Sequence, residues 1–275
     1  MDGILIVNKE ASMTSHDVVN RLRRILGTKK IGHSGTLDPE ATGVLVVLVG
    51  KATKVLQFLA DTDKTYIATL KLGYRTDTDD IWGNILETKP VNTDFDFEQL
   101  VHSFEGPQHQ MVPMASAKKV NGKKLLAYKN QNIEIDPIYQ DVMIYETKVL
   151  SKEDLRFEVS CSSGTYIRSI CRDMALQTDN LGCMSSLIRT RVGRFTINQA
   201  QTLDEIADHP IWYPIKDVLD HFKKVELSDP LPVYQGKRIE IDENDDLVCI
   251  TDKGEPIAIY EKEDGHIYRS KRGLW

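Results

Sequence analysis

The stretch GHSGTLDPEATG, residues 32–43, places one carboxylate, Asp38, directly before a proline and among three glycines. Proline steers the residue before it away from helical backbone angles toward an extended conformation. The glycines allow backbone angles closed to other residues and leave room for another chain to approach. This pattern indicates a carboxylate that the backbone presents at a fixed place, which suits nucleophilic or proton-transfer chemistry.

Two further side chains stand near segments with clear periodicity. Tyr66 lies in KTYIATLKLG, residues 64–73, whose alternation predicts a strand. Arg168, two residues after Tyr166, lies in the opening turn of the helix that the spacing predicts within SSGTYIRSICRDMALQT. Taken singly, an Asp before proline is typical of a turn and a Tyr on a strand is typical of a core, so neither residue establishes a site alone.

Three common motifs fit only in part. GVLVVLVGKAT has six residues between Gly43 and Gly50 where a phosphate-binding loop needs four, and it lacks the magnesium-binding hydroxyl. GHSGT lacks the final glycine of a nucleophile elbow. DTDKT, residues 61–65, matches the D-x-D-x-T pattern of aspartyl-phosphate hydrolases but follows a helix-like segment. A magnesium-dependent hydrolase using Asp61 therefore stays an alternative, although no metal-ligand cluster is visible and we expect neither metal nor cofactor.

Length and composition are those of a globular protein. The chain has 275 residues, 41% hydrophobic and 28% charged, and no apolar run of 18 residues, so we expect no membrane span. The start, MDGILIVNKE, lacks the features of a signal peptide, and we expect a cytoplasmic monomer. Four cysteines without C-x-x-C spacing predict neither a zinc site nor a disulfide framework, and Cys171 falls on an apolar helix face.

The net charge of −6 is unevenly distributed along the chain. Residues 217–275 hold 14 acids and 9 bases, which leaves the rest of the chain near neutrality. Within that remainder, ASAKKVNGKKLLAYKN (115–130) carries five lysines and no acid, and residues 168–194 carry five arginines. Local patches of this kind, rather than the total charge, set the attraction for a polyanion.

Periodicity predicts alternating strands and helices followed by a small β module. Predicted strands are 3–9, 44–49 and 64–73, the segments VMIYETKVL and LRFEVSC, and 187–195. Predicted helices run from Thr14 or Ser15 to Leu26, over 53–59, near 97–104 and after Tyr166. The pattern changes between Pro210 and Pro230, so we predict one domain over 1–213, with an insertion at about 107–135, and a β module over 214–275.

GHSGTLDPEATGVL resembles the catalytic motif of the bacterial tRNA pseudouridine-55 synthases, the TruB-type family. GILIVNK with TSHDVV, KTYIATLKLG, PMASAKKVNGKKLLAY, SSGTYIRSICRDMA and LIRTRVGRF resemble further family segments, in family order. The resemblance implies an α+β fold with a mixed, mainly antiparallel central sheet flanked by helices, followed by a small C-terminal β module that resembles a PUA-like domain only loosely. Glu10, Ser12 and Ala115 depart from the family, which often has Pro, Gly and an aromatic residue there.

The resemblance also implies roles for particular residues. Asp38 matches the essential aspartate, Tyr66 the tyrosine that stacks on the target base, and Arg168 the arginine paired with the aspartate. His33 matches a histidine that contacts the refolded T-loop, and Leu187 a leucine of the uracil pocket. The insertion resembles a mobile loop that closes over the RNA. The predicted substrate-binding set is His33, Gly35, Thr36, Leu37, Tyr166, Leu187, Lys118, Lys119, Lys123, Lys124, Arg189 and Arg191.

The implied reaction isomerises uridine 55 in the T-loop of tRNA to pseudouridine after base flipping. It breaks the N1–C1′ bond, turns the uracil and joins C5 to C1′, so it needs neither redox change nor energy input. The carboxylate could attack the base, attack the sugar or remove the 2′ proton, and the sequence leaves these three routes open. A module that binds or folds tRNA, with catalysis secondary, is the alternative of a different class.

Overall fold

The computed structural model describes residues 2–59 and 62–275. The helices are α1 (Ser15–Ile25), α2 (Phe97–His102), α3 (Leu125–Asn130), α4 (Ile167–Gln177), α5 (Leu203–Asp208) and α6 (Leu231–Tyr234). The first strands are β1 (Gly3–Lys9), β2 (Ile31–His33), β3 (Thr42–Val49), β4 (Lys64–Leu72), β5 (Tyr74–Thr76), β6 (Ile85–Thr88), β7 (Gly106–Met111), β8 (Lys119–Val120) and β9 (Lys123–Lys124). The others are β10 (Tyr139–Ser151), β11 (Arg156–Cys161), β12 (Gly182–Val192), β13 (Phe195–Thr196), β14 (Lys223–Glu226), β15 (Ile239–Glu240), β16 (Leu247–Asp252), β17 (Glu255–Asp264) and β18 (Ile267–Gly273).

The chain divides into two compact units. The terminal unit comprises Met1–Pro39, Leu45–Ala60 and Asn198–Trp275, and the central unit comprises Glu40–Val44 and Asp61–Ile197. Strand β3 contributes residues to both. The predicted domains, 1–213 and 214–275, have different boundaries from these units and stay a prediction.

In the terminal unit, α1 packs on the strands that precede and follow it. Thr14 caps the helix: its hydroxyl accepts from Asp17 N at 3.1 Å, and the Asp17 carboxylate accepts from Thr14 N at 2.9 Å. Val18, Val19 and Leu22 then face a core of apolar side chains from β1 and β3. Because the cap fixes where the helix begins, Ser15 becomes its first residue and is buried.

The same unit holds a second sheet, built after residue 222. Its strand order is β14-β16-β17-β18-β15, with β14 parallel to β16 and the other pairs antiparallel. Val248, Ile250, Tyr260 and Tyr268 are fully buried and form its core. The acidic tail of the sequence therefore forms a sheet with its own buried core, and its standing as a separate domain stays a prediction.

The central unit is organised around a mixed, mainly antiparallel sheet. Strands β12, β4, β11, β10 and β7 follow one another antiparallel, and the first residues of β3 run parallel to β12. Helix α4 packs on β12 and β4, and α2 packs on β10. This arrangement confirms the predicted α+β class.

The helix predicted over 53–59 is of the 3₁₀ type and runs over Gly50–Phe58. Its two β-branched residues, Thr53 and Val55, favour an α-helix less than unbranched residues do. None of the helices within residues 2–59 and 62–275 is both long and apolar enough to cross a membrane.

All four cysteines are buried with free thiols. Burial raises the pKa of Cys161, Cys183 and Cys249 to about 11 each, and it raises the pKa of Cys171 as well. The thiolate is the reactive form, so we expect almost no reaction with a disulfide reagent at pH 8 in the native state. Four thiols should react after denaturation in guanidinium, and rapid labelling of the native protein would contradict this assignment.

Candidate active site

The segment that carries Asp38 is held by hydrogen bonds on both sides of this residue. Leu37 N donates to the buried Ser15 hydroxyl at 2.9 Å, and this hydroxyl lies at the start of α1. On the other side, the ammonium group of Lys9, at the end of β1, is fully buried and donates to Pro39 O at 2.8 Å. Backbone atoms of both neighbours of Asp38 are therefore held by side chains from regular elements, which supports the expectation of a presented carboxylate.

The glycines around Asp38 serve two different needs. Gly35 has a φ of 104°, a region that favours glycine. Gly43 has a φ of 100°, and a Cβ atom there would lie 2.3 Å from the carbonyl oxygen of Arg189 on β12. The absence of a side chain at Gly43 thus lets β12 of the same chain pass close to this residue. Of the other predicted residues here, His33 ends β2 and is half-buried, and Thr36 is exposed.

Tyr66 lies in the middle of the central sheet. It pairs with Val159 of β11 on one side and with Arg189 of β12 on the other, and its side chain is buried. Leu187 pairs with Ala68 two residues along β4 and is also buried. Tyr66 and Ala68 share one face of the sheet because side chains alternate along a strand, and the register brings Leu187 beside them.

Arg168 occupies the first turn of α4, as predicted, with its side chain only 5% exposed. Its Nη1 donates to Thr78 O at 2.7 Å and lies 3.7 Å from the Asp80 carboxylate, while Nη2 donates to Ala115 O at 3.0 Å. One guanidinium therefore joins α4 to the loop after β5 and to the insertion. The pairing of Arg168 with Asp38 that the resemblance implies stays a prediction.

The loop after β5 supplies an acid that sequence reasoning missed. Asp80 is buried and accepts from the Thr78 hydroxyl at 2.6 Å and from Trp82 N at 3.1 Å. Its neighbour Asp79 lies 3.1 Å from Arg172, one turn after Arg168 on α4. Burial raises the pKa of the Asp79 carboxyl, although both arginines oppose the rise. The signal was present in the sequence as adjacent acids in TDTDD and arginines four residues apart.

The first residues of α4 also anchor the start of the insertion. The Gln110 side chain donates to Tyr166 O at 3.0 Å and accepts from Tyr166 N at 2.8 Å. The Ser169 hydroxyl donates to Met111 O at 2.8 Å. With the Arg168 contact to Ala115, these bonds fix the segment Gln110–Ala115 against the helix that carries Arg168.

The predicted cationic residues differ in accessibility. Lys118, Lys119 and Lys124 are exposed on and before the β8–β9 hairpin, and Lys123 lies 4.6 Å from the centre of the Tyr128 ring. Arg189, in contrast, is 1% exposed and its Nε donates to Val44 O at 2.7 Å. That burial indicates a structural role for Arg189, and its contact with RNA stays a prediction.

Arg191 is partly exposed on the same strand. Its Nε donates to the Thr65 hydroxyl at 2.9 Å and its Nη1 donates to Gly193 O at 3.1 Å. These bonds hold the guanidinium at the sheet surface, and its phosphate contact also stays a prediction.

Comparison with known proteins decides the family. Residues 23–167 match the model of the TruB family pseudouridylate synthase, N terminal domain. A tRNA pseudouridine synthase B of Bacillus subtilis (strain 168) is 38% identical, with 94% of this chain and 93% of the relative aligned. This chain belongs to the TruB family. A relative with the same name from Thermobifida fusca (strain YX) is 40% identical over 86% of each chain.

Two solved structures share the fold of this chain. A Cbf5-Nop10-Gar1 complex contains a chain with a TM-score of 0.76 and 26% identity, covering 99% of this chain and 85% of that one. An H/ACA RNP bound to a substrate RNA gives a TM-score of 0.74 at 24% identity, which bears on the fold alone. Asp38 and Tyr66 fall inside the matched family segment, and Arg168 is the first residue after it.

Family membership favours the synthase prediction over both alternatives. Asp61, the nucleophile of the hydrolase alternative, lies outside the described residues. Among residues 2–59 and 62–275 there is no cluster of three or more His, Cys, Asp or Glu side chains that could hold a metal ion. The expected independence from metal and cofactor stays a prediction.

Proposed function

We propose that this chain isomerises uridine 55 in the T-loop of tRNA to pseudouridine, with Asp38 as the essential carboxylate. Membership of the TruB family supports the reaction and the class of substrate. The observation that carries the role of Asp38 is the fixed backbone on both sides of it, through Ser15 and Lys9. A reactive group held in this way loses little freedom when the substrate binds.

We assign different roles to Tyr66 and Arg168 in this reaction. Pulling a uridine out of its stack costs a few kcal/mol, and stacking on an aromatic ring can return roughly 1–3 kcal/mol. We assign that stacking to Tyr66, whose backbone position is fixed in the sheet by pairing with strands on both sides. Arg168 orders the loop of Asp80 and the start of the insertion, so it prepares the RNA-facing parts of the central unit.

The test is to map pseudouridine in cellular tRNA from strains with and without the protein. We expect the modification at position 55 to disappear without the protein and to return when the wild-type chain is supplied. Purified protein should release tritium from tRNA labelled at uridine C5 in the absence of added metal or cofactor. An unchanged modification at position 55 in the deletion strain would contradict the proposal.

The exposed lysines of the insertion form the proposed phosphate contact. Replacing Lys118, Lys119, Lys123 and Lys124 by alanine should reduce the magnitude of the slope of log K against log salt by about 3–4, since each lost phosphate contact removes roughly 0.7–0.9. Affinity measured across a salt series reads out this slope. Lys223 and Lys224 serve as controls, because each already pairs with an acid. An unchanged slope in the fourfold variant would exclude these lysines from the contact surface.

A second group of cations lies in the terminal unit and was not apparent from the sequence. Gly50 N donates to Lys30 O at 2.8 Å, which brings Lys30 beside Lys51, and Lys54 donates to the main-chain oxygen of Trp275. Burial and the neighbouring cations Lys30, Arg272 and Lys51 lower the pKa of Lys54. Three separate segments thus concentrate positive charge within a unit whose C-terminal part is acidic overall, which favours a polyanionic partner.

A further inference from the structure

Where the insertion contacts α4, one buried side chain, that of Ser116, lacks the hydrogen bond that its neighbours make. Ser116 directly follows Ala115, whose carbonyl oxygen accepts from Arg168. The Ser116 side chain is buried, with the residue 5% exposed, and its hydroxyl has no hydrogen-bond partner among the residues that the structure describes. The hydroxyl of Ser169, a fully buried residue of α4, donates in contrast to Met111 O at 2.8 Å.

The unpaired hydroxyl is not needed to shape the backbone at this point. The carbonyl oxygen of Ser116 accepts from Leu126 N at 3.1 Å, and Leu125 N donates to Lys118 O at 2.8 Å. These backbone bonds join the segment to the start of α3 whatever side chain residue 116 carries. Alanine would therefore fit here without leaving a polar group unpaired.

A buried hydroxyl that makes no hydrogen bond destabilises the folded chain, because it has lost its bonds to water without replacement. Such a group is explained when a ligand supplies the missing partner. Its surroundings indicate the ligand: the Arg168 guanidinium is held one residue before it, and the exposed cations Lys118 and Lys119 follow within three residues. This setting suits an oxygen atom of RNA, and it does not suit a hydrophobic or cationic ligand.

We propose that the Ser116 hydroxyl is a substrate-binding group that hydrogen-bonds an oxygen of the target nucleotide. The proposal rests on the proposed function and assigns this residue a part in it. The hydroxyl donates to a base, ribose or phosphate oxygen when the RNA is bound. Its place beside the carbonyl held by Arg168 makes the contact depend on the ordered start of the insertion.

The test compares Ser116→Ala with Ser169→Ala in stability and in kinetics. Ser116→Ala should lower kcat/KM for a tRNA T-arm substrate by roughly 5-fold to 10-fold, the range for one neutral hydrogen bond, while the urea midpoint stays equal or rises. Ser169→Ala should lower the urea midpoint, because it leaves Met111 O unpaired. An unchanged kcat/KM for Ser116→Ala, or a fall in its urea midpoint matching that of Ser169→Ala, would overturn the proposal.

Binding to two RNAs identifies the oxygen. If Ser116→Ala weakens binding of the normal T-arm but not of one with an abasic target nucleotide, the partner is an oxygen of the base. If it weakens both, the partner is a ribose or phosphate oxygen; if it weakens neither, the contact is excluded. The wild-type chain, assayed in parallel, reports on the proposed function by itself. An inactive wild type would refute that function, whereas an active wild type with an unaffected Ser116→Ala variant refutes only this inference.

Discussion

Asp38→Asn is expected to abolish pseudouridine formation while leaving the fold and RNA binding in place. Asparagine has nearly the same shape as aspartate but neither the charge nor the basicity of the carboxylate. We therefore expect the rate of pseudouridine formation to fall by about 10²–10⁴-fold or more. The fold should survive because Ser15 and Lys9 bond to backbone atoms of Leu37 and Pro39, and the substitution leaves both of these bonds in place. Tritium release from tRNA labelled at uridine C5 measures the chemistry, and a filter-binding titration measures RNA affinity.

A matched control separates the effect of this carboxylate from a general loss of negative charge. Glu10 is exposed in the turn after β1, so Glu10→Gln removes the same charge from a nearby loop. We expect this variant to keep wild-type activity. If Asp38→Asn loses RNA binding together with activity, and its unfolding transition is unchanged, then Asp38 binds the RNA rather than carrying out the chemistry.

Local sequence patterns predicted the elements that carry the site because those patterns depend on neighbouring residues. Alternation in KTYIATLKLG and the cap before α1 are local signals, and both elements formed where expected. Ser12 was noted as a departure from a frequent glycine, and it has a φ of 62°, the region that favours glycine. The proline and glycines around Asp38 likewise indicated backbone angles outside the helical region.

The contacts that fix the site come from residues far apart in the chain, which local patterns do not encode. The buried Lys9 reaches Pro39, thirty residues on, and nothing in GILIVNK distinguishes it from an exposed lysine. Arg168 and Asp80 are separated by the whole insertion. The sequence indicates only that Ser116 belongs to a basic loop, because the burial of its hydroxyl depends on how the insertion folds.

Arg168→Ala is expected to produce the largest loss of stability among the variants considered for the central unit. The Arg168 and Asp80 side chains are 5% and 12% exposed, and removing one member of a buried ion pair costs on the order of 3–5 kcal/mol. The 3.7 Å separation places the expected loss near the lower end, about 3 kcal/mol. The carbonyl oxygens of Thr78 and Ala115 would also lose their donor. Urea unfolding measures the change, and Arg156→Ala, at the exposed first residue of β11, is a control expected to change stability by no more than about 0.5 kcal/mol.

A second substitution tests whether the unpaired carboxylate is the cause of that loss. Asp80→Asn removes the charge but can still accept from the Thr78 hydroxyl and from Trp82 N, which the carboxylate does now. The double variant should therefore be more stable than Arg168→Ala alone, even though Asp80→Asn by itself destabilises the wild type. Such a reversal of sign arises only when the two side chains are coupled in the folded state. If Asp80→Asn brings no recovery, the loss comes instead from the two carbonyl oxygens, and Arg168 acts as a donor that holds the insertion rather than as the partner of an acid.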